Sequence, residues 1–440
     1  MAREGPYGAV LHGAHAAVQN LKLNRRLCRA ISTGGCRIEG KSSILVRFDI
    51  VGLPANPDEA RKLKSEFSID CFPSPSSDFL VTPVARPELP ALRMVIDITA
   101  QRKLGHQTGE PVSVCPIGYG LMRLTWAPNE TPDEKAFKTI HAFLTGGGRF
   151  LNSGEFYGNG PDRLHANLEL LARFFDAYPE WAQEGKCFLS VKGGINLDGG
   201  KMNHPDGSIE ALRKSVDTIN LKLGGKKKMD LFEMARVDKK VPIEDVMKSY
   251  KILINEGKFK HVGLSEVSAE TIRRAHAVHP ISAVEVEYSP WLLDIEHNGI
   301  LATCEELRIP IVAYSPLGLG MLTGKIKSLD DLDPNDMRRH FDRFQPENFQ
   351  HNIKLADKFT SLAQKKKCTS VQLVLAWLLT QSDLIIPIPG STRPEGVQET
   401  LETLNLTLSD QEVHEIRGFV DRADFKGLRY GAMHQASLNG

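Results

Sequence analysis

Tyr157 and Lys192 are the residues whose types and placement most readily support proton transfer. Tyr157 closes the run Phe150-Leu-Asn152-Ser-Gly-Glu155-Phe-Tyr157-Gly158, and Lys192 lies in Ser190-Val-Lys192-Gly-Gly194. Each follows a short apolar cluster of strand length. An ammonium within a few ångströms of a phenol lowers its pKa and makes it a usable proton donor. A Tyr at a core edge and a Lys on the surface would give the same spacing, so the pair alone does not establish a site. A third run, Leu231-Phe-Glu233-Met-Ala235-Arg236-Val-Asp238, brings further acids and Arg236 to another strand end.

Two later segments have the makings of an anion cradle. Ser315-Pro316-Leu317-Gly318-Leu319-Gly320 offers small residues past which a phosphate can approach backbone N–H groups. Pro389-Gly390-Ser391-Thr392-Arg393 leads into a helix with Pro394 near its first position, combining a helix N-terminus, two hydroxyls and a guanidinium. Tyr314, just before the first segment, is placed either to stack on a flat ring or to fill a rim.

These residues need a scaffold that brings distant strand ends together. From Val112 onward, strand-length apolar clusters begin at Ser113–Ile117 and recur at 150–152, 188–192, 230–234, 261–264, 283–287, 311–314 and 384–388. Amphipathic helical stretches separate them at 133–145, 163–177, 208–222, 243–256, 268–278, 299–307 and 351–366 with 369–380, and an eighth follows at 394–404. Eight such units predict a (β/α)8 TIM barrel of the α/β class, a fold whose chemistry sits at the carboxyl ends of the strands. A doubly wound open sheet is the alternative, but no GxGxxG follows the first strand. Thr131-Pro132-Asp133-Glu134 and Ser409-Asp410-Gln411-Glu412 read as capping boxes. The long connection Leu317 to Gln350, rich in Asp and Arg, is expected to be a solvated lid over the barrel mouth.

Composition narrows the function. The 440 residues carry 55 Lys plus Arg against 54 Asp plus Glu, so no global field steers the chain to nucleic acid. No apolar run reaches the ~18 residues of a membrane span. The fourteen His show no metal-ligand spacing, and the seven Cys, scattered without a CxxC, suggest neither a disulfide framework nor a zinc site. A metal-free, reducing, cytoplasmic setting is expected, with a monomer or weak homo-oligomer.

Residues 1–110 read differently, as a poorly ordered N-terminal extension ahead of a barrel at 111–440 with its C-terminal helix and tail. Pro, Ser and Gly are scattered there without sustained periodicity. Arg3, Lys22, Arg25, Arg26, Arg29 and Arg37 against Glu4 lean towards a transit peptide. The segment's length and weak amphipathicity favour instead a leader with no part in the fold, with Met94 as the natural start.

The chain from Val114 to Leu406 resembles the aldo-keto reductases, most closely their fungal pyridoxal reductase branch. Eight collinear motifs carry the resemblance: Ile117-Gly-Tyr-Gly-Leu-Met122, Phe150 to Gly158, Phe188 to Gly194, Ala235-Arg-Val-Asp238, Gly263-Leu-Ser-Glu-Val267, Glu287-Tyr-Ser289, Tyr314-Ser-Pro-Leu-Gly318 and Ile388-Pro-Gly-Ser-Thr-Arg393.

The resemblance implies that Tyr157 is the general acid and Lys192 its partner, with Asn152 and Arg236 beside them. It implies NADPH as cofactor: Ser265, Glu285 and Tyr314 at the nicotinamide, Ser315, Leu317 and Gly318 at the pyrophosphate, Ser391 and Arg393 at the ribose 2′-phosphate, and Glu399 at the adenine. The sequence departs from the family pattern at four places. Asn152 stands where an Asp is usual, Ala235 where a His is, Glu266 where an Asn is, and Glu285 where an amide is. The ARVD run and the Asn are characteristic of the pyridoxal reductase branch. The implied activity is NADPH-dependent reduction of a small-molecule aldehyde, pyridoxal to pyridoxine. The alternatives are a broad aldehyde or ketone reductase, a non-catalytic NADPH-binding regulatory subunit, and a barrel enzyme using the late loops for a phosphorylated substrate.

Overall fold

A computed structural model of the chain describes residues 96–105, 111–429 and 440. The expected extension lies outside the described residues except for 96–105. The described chain opens on an antiparallel pair, β1 (Arg102–Leu104) and β2 (Val112–Val114).

Eight parallel strands follow: β3 (Tyr119–Gly120), β4 (Phe150–Gly154), β5 (Phe188–Gly193), β6 (Leu231–Met234), β7 (His261–Ser265), β8 (Ala283–Glu287), β9 (Ile311–Tyr314) and β10 (Ile385–Pro387). They pair in chain order, and the first and last strands then meet. The Gly118 N–H donates to the Pro387 carbonyl at 3.0 Å and the Gly120 N–H to the Pro389 carbonyl at 3.2 Å, which closes the barrel. Helices α1 (Asp133–Thr145), α2 (Ala166–Ala177), α3 (Ile209–Lys222), α4 (Ile243–Asn255), α5 (Ala269–Val278), α6 (Asp294–His297), α7 (Ile300–Glu306), α8 (Pro346–Lys366), α9 (Ser370–Leu379), α10 (Pro394–Leu401) and α11 (Asp410–Val420) connect and surround them.

The period-2 alternation of each strand sorts its side chains between two cores. Leu151, Leu189, Val191, Phe232, Val262, Val284 and Ile311 face outward and pack with the apolar stripes of the helices. Phe150, Phe188, Leu231, Ala283, Val312 and Ile386 face inward and form a floor. Burying a side chain of that size is worth roughly 1.5–3 kcal/mol, so the floor is a packed core and not a pore. Asn152, Lys192, Glu233 and Glu285 point inward one layer or more above it, towards the carboxyl ends of the strands.

The first strand corrects the sequence expectation. Ser113–Ile117 is not a barrel strand: β2 takes Val112–Val114, and the barrel begins at Tyr119. Pro116 lacks the N–H that would extend the ladder. Leu104 and Val114 are instead buried against the floor residues, so β1 and β2 plug the amino end of the barrel. Arg102 Nε donates to the Ile385 carbonyl at 3.3 Å, and the Gly105 N–H to the Ser282 carbonyl at 3.4 Å.

Two further corrections concern local structure. Thr131 does not cap α1, whose N-cap is Pro132 with no side-chain hydrogen bond. Ser409 does cap α11 reciprocally with Glu412. The connection after β9 is a chain of 3-10 turns, and it is not solvated throughout. Asp336 is buried and takes hydrogen bonds from Arg338. Arg343 is buried against Glu287 and over the Trp291 ring.

Candidate active site

Lys192 is the hub of the inner layer. Parallel register places it opposite Gly154 of β4 and Glu233 of β6. Its Nζ donates to Asn152 Oδ1 at 2.8 Å and to Glu285 Oε1 and Oε2 at 2.7 and 2.9 Å, with Glu233 Oε1 at 3.7 Å. Asn152 Nδ2 donates to Glu285 Oε2 at 2.6 Å, so the amide bridges the ammonium and the carboxylate. Tyr157 lies above, with Lys192 Nζ 5.7 Å from its ring centroid.

Both groups are buried, and burial sets their proton affinities. It works against the Lys192 ammonium, but Glu285, Tyr157 and Glu233 outweigh it and raise the pKa above the ordinary lysine value. Tyr157 also sits above the ordinary phenol value. Burial is the larger cause, Lys192 pulls it down, and Glu285 and Glu233 push it back up. The lowering expected from a neighbouring ammonium is therefore real but smaller than the cost of burying a phenolate. A phenol held above its ordinary value keeps its proton at neutral pH.

A clamp absent from the sequence reading holds Tyr157. Thr125 Oγ1 donates to the Tyr157 carbonyl at 2.7 Å. Asn167 of α2 donates to that Thr125 hydroxyl at 2.8 Å and to the Leu121 carbonyl at 3.0 Å, and it accepts from Ser153 on the outer face of β4. Polar residues buried on a helix face are the available signal, and Asn167 in the otherwise apolar face of α2 is one.

An apolar wall surrounds the Tyr157 ring. Phe156, Tyr157 and Ala235 pack together with Met122, Trp126, Ile195 and Leu197. Trp126 lies 5.7 Å from Tyr157 and 6.2 Å from Phe156, centroid to centroid. Three polar neighbours face elsewhere. Glu155 turns to the hydroxyl of Ser215 on α3, behind the sheet. Burial pushes its carboxyl up to about 7, with the Ser215 hydrogen bond opposing. Glu233 turns down towards Lys192. Arg236 donates to the Ala235 carbonyl, and no hydrogen bond joins it to Tyr157 or Lys192 among the described residues.

The other predicted positions lie on the carboxyl face. Ser265 ends β7 in register with Glu285, and its hydroxyl is buried without a hydrogen-bond partner among the described residues. Tyr314 ends β9 opposite Glu287. Ser315 has φ 48°, a left-handed conformation unusual for a side-chain-bearing residue, and its carbonyl accepts from the Gly318 N–H at 2.9 Å across Leu317. Ser391, held through its carbonyl by the Tyr119 hydroxyl, and exposed Arg393 stand at the start of α10. Glu399 lies on that helix, 3.7 Å from Lys325.

An orphaned hydroxyl, a strained turn and a guanidinium beside a helix start fit a dinucleotide with phosphate groups. Arg429 is a further residue that the sequence reading missed. It is buried between Glu266 and Glu287 and donates to the Tyr314 hydroxyl at 2.7 Å. Among the described residues no cluster of three or more His, Cys, Asp or Glu is arranged to hold a metal ion, and no helix is long and apolar enough to cross a membrane.

Residues 116–421 match the model of the aldo/keto reductase family. The chain is 44% identical over 331 residues to "Probable pyridoxal reductase 2" of Schizosaccharomyces pombe, covering 74% of this chain and 97% of that protein. It is 40% identical over 338 residues to the NADP(+) aldo-keto reductase yakc of the same organism, covering 75% and 94%. Among solved structures, a glycerol dehydrogenase from Gluconobacter oxydans superposes with a TM-score of 0.64 at 23% identity, over 75% of this chain and 98% of that one.

Proposed function

Because this chain belongs to the aldo/keto reductase family, we propose that it reduces an aldehyde with NADPH, with Tyr157 as proton donor and pyridoxal as substrate. The observation that carries this reading is the buried Tyr157 beside Lys192 at adjacent strand ends, faced by an apolar wall.

NADPH, when bound, supplies the hydride. The chain's own residues do the rest. Tyr157 donates its proton to the oxygen that becomes an alkoxide, and Lys192 stabilises the phenolate left behind. Asn152 and Glu285 fix the direction of the ammonium, while Thr125 and Asn167 fix the loop that carries Tyr157. Trp126 and Phe156 exclude water and offer flat faces to an aromatic ring. Ala235 leaves the space for that ring's substituents.

Ser265 and Tyr314 would hold the nicotinamide end of the cofactor. Ser315, Leu317 and Gly318 would hold its pyrophosphate, and Ser391, Arg393 and Glu399 its adenosine end. The name of the yakc relative favours NADP, and that of the 44% identical relative favours pyridoxal.

The test is steady-state oxidation of NADPH and of NADH, each with pyridoxal and with a small aromatic aldehyde. The reading expects pyridoxine as product, with NADPH and pyridoxal giving the highest kcat/KM. Turnover of the small aldehyde alone would make the chain a general aldehyde reductase, and no turnover with bound NADPH would make it a regulatory subunit.

A further inference from the structure

Beneath Tyr157 one ammonium faces two buried carboxyl groups, and hydrogen bonding treats them differently. Lys192 has three N–H donors. Asn152 Oδ1 and the two oxygens of Glu285 take them. Glu285 receives Lys192 on both oxygens and Asn152 Nδ2 on one, the surroundings of an ionised carboxylate. Glu233 receives nothing comparable: its Oε1 is buried 3.7 Å from Lys192 Nζ without a hydrogen-bond partner among the described residues.

The groups around Glu233 can be named strand by strand. Lys192 faces it from β5 and Glu285 from β8, and Tyr157 lies above on the loop after β4. On β7 the facing position is Gly263, where a Cβ would meet Glu233 Oε2 at 2.9 Å. A side chain there would separate the two carboxyl groups. His261 sits two residues lower on β7, against Phe188 and Ser282, and Tyr250 of α4 stands behind β6 with its hydroxyl on the Met234 N–H. Lys192 is thus the cation facing this layer from the strands described, and it is already matched by Glu285.

We infer that Glu285 is the counter-ion that positions Lys192, and that Glu233 beside it is a carboxylic acid whose ionisation closes the alkaline side of the reductive pH profile. The inference rests on the reading of Tyr157 as proton donor. Burial and then the Glu285 charge push the Glu233 carboxyl well above its ordinary value, with Lys192 opposing. While Glu233 holds its proton, Lys192 and Glu285 sum to zero charge and a phenolate can form above them. Once Glu233 loses it, the layer carries a net negative charge that opposes the phenolate. Turnover therefore falls as pH rises through the Glu233 ionisation. The layer also accounts for Asn152: the carboxylate that faces Lys192 comes from residue 285, and the Asn152 amide bridges the pair.

The experiment has two readouts on the full-length chain. The first needs no turnover: infrared spectra of the protein without added cofactor, compared with Glu233→Gln, across a pH series. A protonated carboxyl band at neutral pH that Glu233→Gln removes is expected. In Glu285→Gln, Glu233 keeps its side chain but loses the neighbouring charge, so its band should titrate at lower pH. Absence of the band at neutral pH, or an unmoved titration in Glu285→Gln, overturns the inference whether or not the chain proves to be a reductase.

The second is the kcat profile for aldehyde reduction. Glu233→Gln should move its alkaline limb upward by about one pH unit or more, and an unmoved limb contradicts the role. Glu285→Gln should lower kcat about tenfold or more, with much of it regained when Asn152→Asp is added. No regain, at equal cofactor affinity, contradicts the positioning role of Glu285.

Discussion

The two carboxylate oxygens of Glu285 lie 2.7 and 2.9 Å from Lys192 Nζ, although the residues stand on strands three places apart around the barrel. The contact is made across the interior. It makes the environment of Tyr157 a property of the whole inner layer, not of neighbouring strands alone.

Ala235 contacts the Tyr157 ring, and a larger donor there would narrow the wall. Ala235→His should lower kcat/KM for pyridoxal while sparing or raising it for a nitrobenzaldehyde. The ratio of the two values is the measurement. A parallel fall in both would show damaged packing and no role in selectivity.

Arg393 is exposed at the start of α10, so its charge acts through solvent. Arg393→Ala should weaken NADPH by a few-fold to about tenfold and leave NADH nearly unchanged, because the 2′-phosphate alone distinguishes them. Fluorescence titration with both cofactors checks this, and equal weakening would place the residue elsewhere.

Glu155 makes stability depend on pH. Its folded pKa of about 7 exceeds the ordinary value of 4.5, so the folded state binds more protons between them and stability falls as pH rises across that window. The full effect is on the order of 3 kcal/mol. Glu155→Gln should unfold at a higher temperature than the parent at pH 8, and the gap should shrink towards pH 5. A pH-independent gap would mean that Glu155 is ionised when folded.

The barrel was legible because each inner strand alternates, and because Gly, Pro and capping residues mark where helices begin. Tyr157 and Lys192 were legible because strand ends in this architecture point to one mouth. The first strand was not: Ser113–Ile117 is apolar because β2 plugs the floor, and apolarity alone does not separate a plug from a barrel strand. Glu285 was placed near the nicotinamide by resemblance, but its contact with Lys192 depends on closure of the barrel, which local sequence does not encode. Arg429 and the Thr125–Asn167 clamp were missed for the same reason, since each joins residues from distant elements. The buried Asp336 and Arg343 show the limit of composition, because a charge inside a partnered network reads in sequence like one in water.

Removing residues 1–93 should leave the melting temperature and aldehyde reduction of the remaining chain nearly unchanged, since the barrel closes within residues 102–429. Purification of the truncated chain followed by both assays decides it. Loss of solubility or activity would mean that residues 1–93 belong to the folded unit.

Tyr157→Phe tests the central claim most directly. It keeps the ring against Trp126 and Phe156 and removes only the hydroxyl that carries the proton. We expect kcat for aldehyde reduction to fall about 10²- to 10⁴-fold while NADPH affinity in a fluorescence titration stays within about twofold. A fall of less than about tenfold, with cofactor binding intact, would contradict the assignment of Tyr157 as the proton donor.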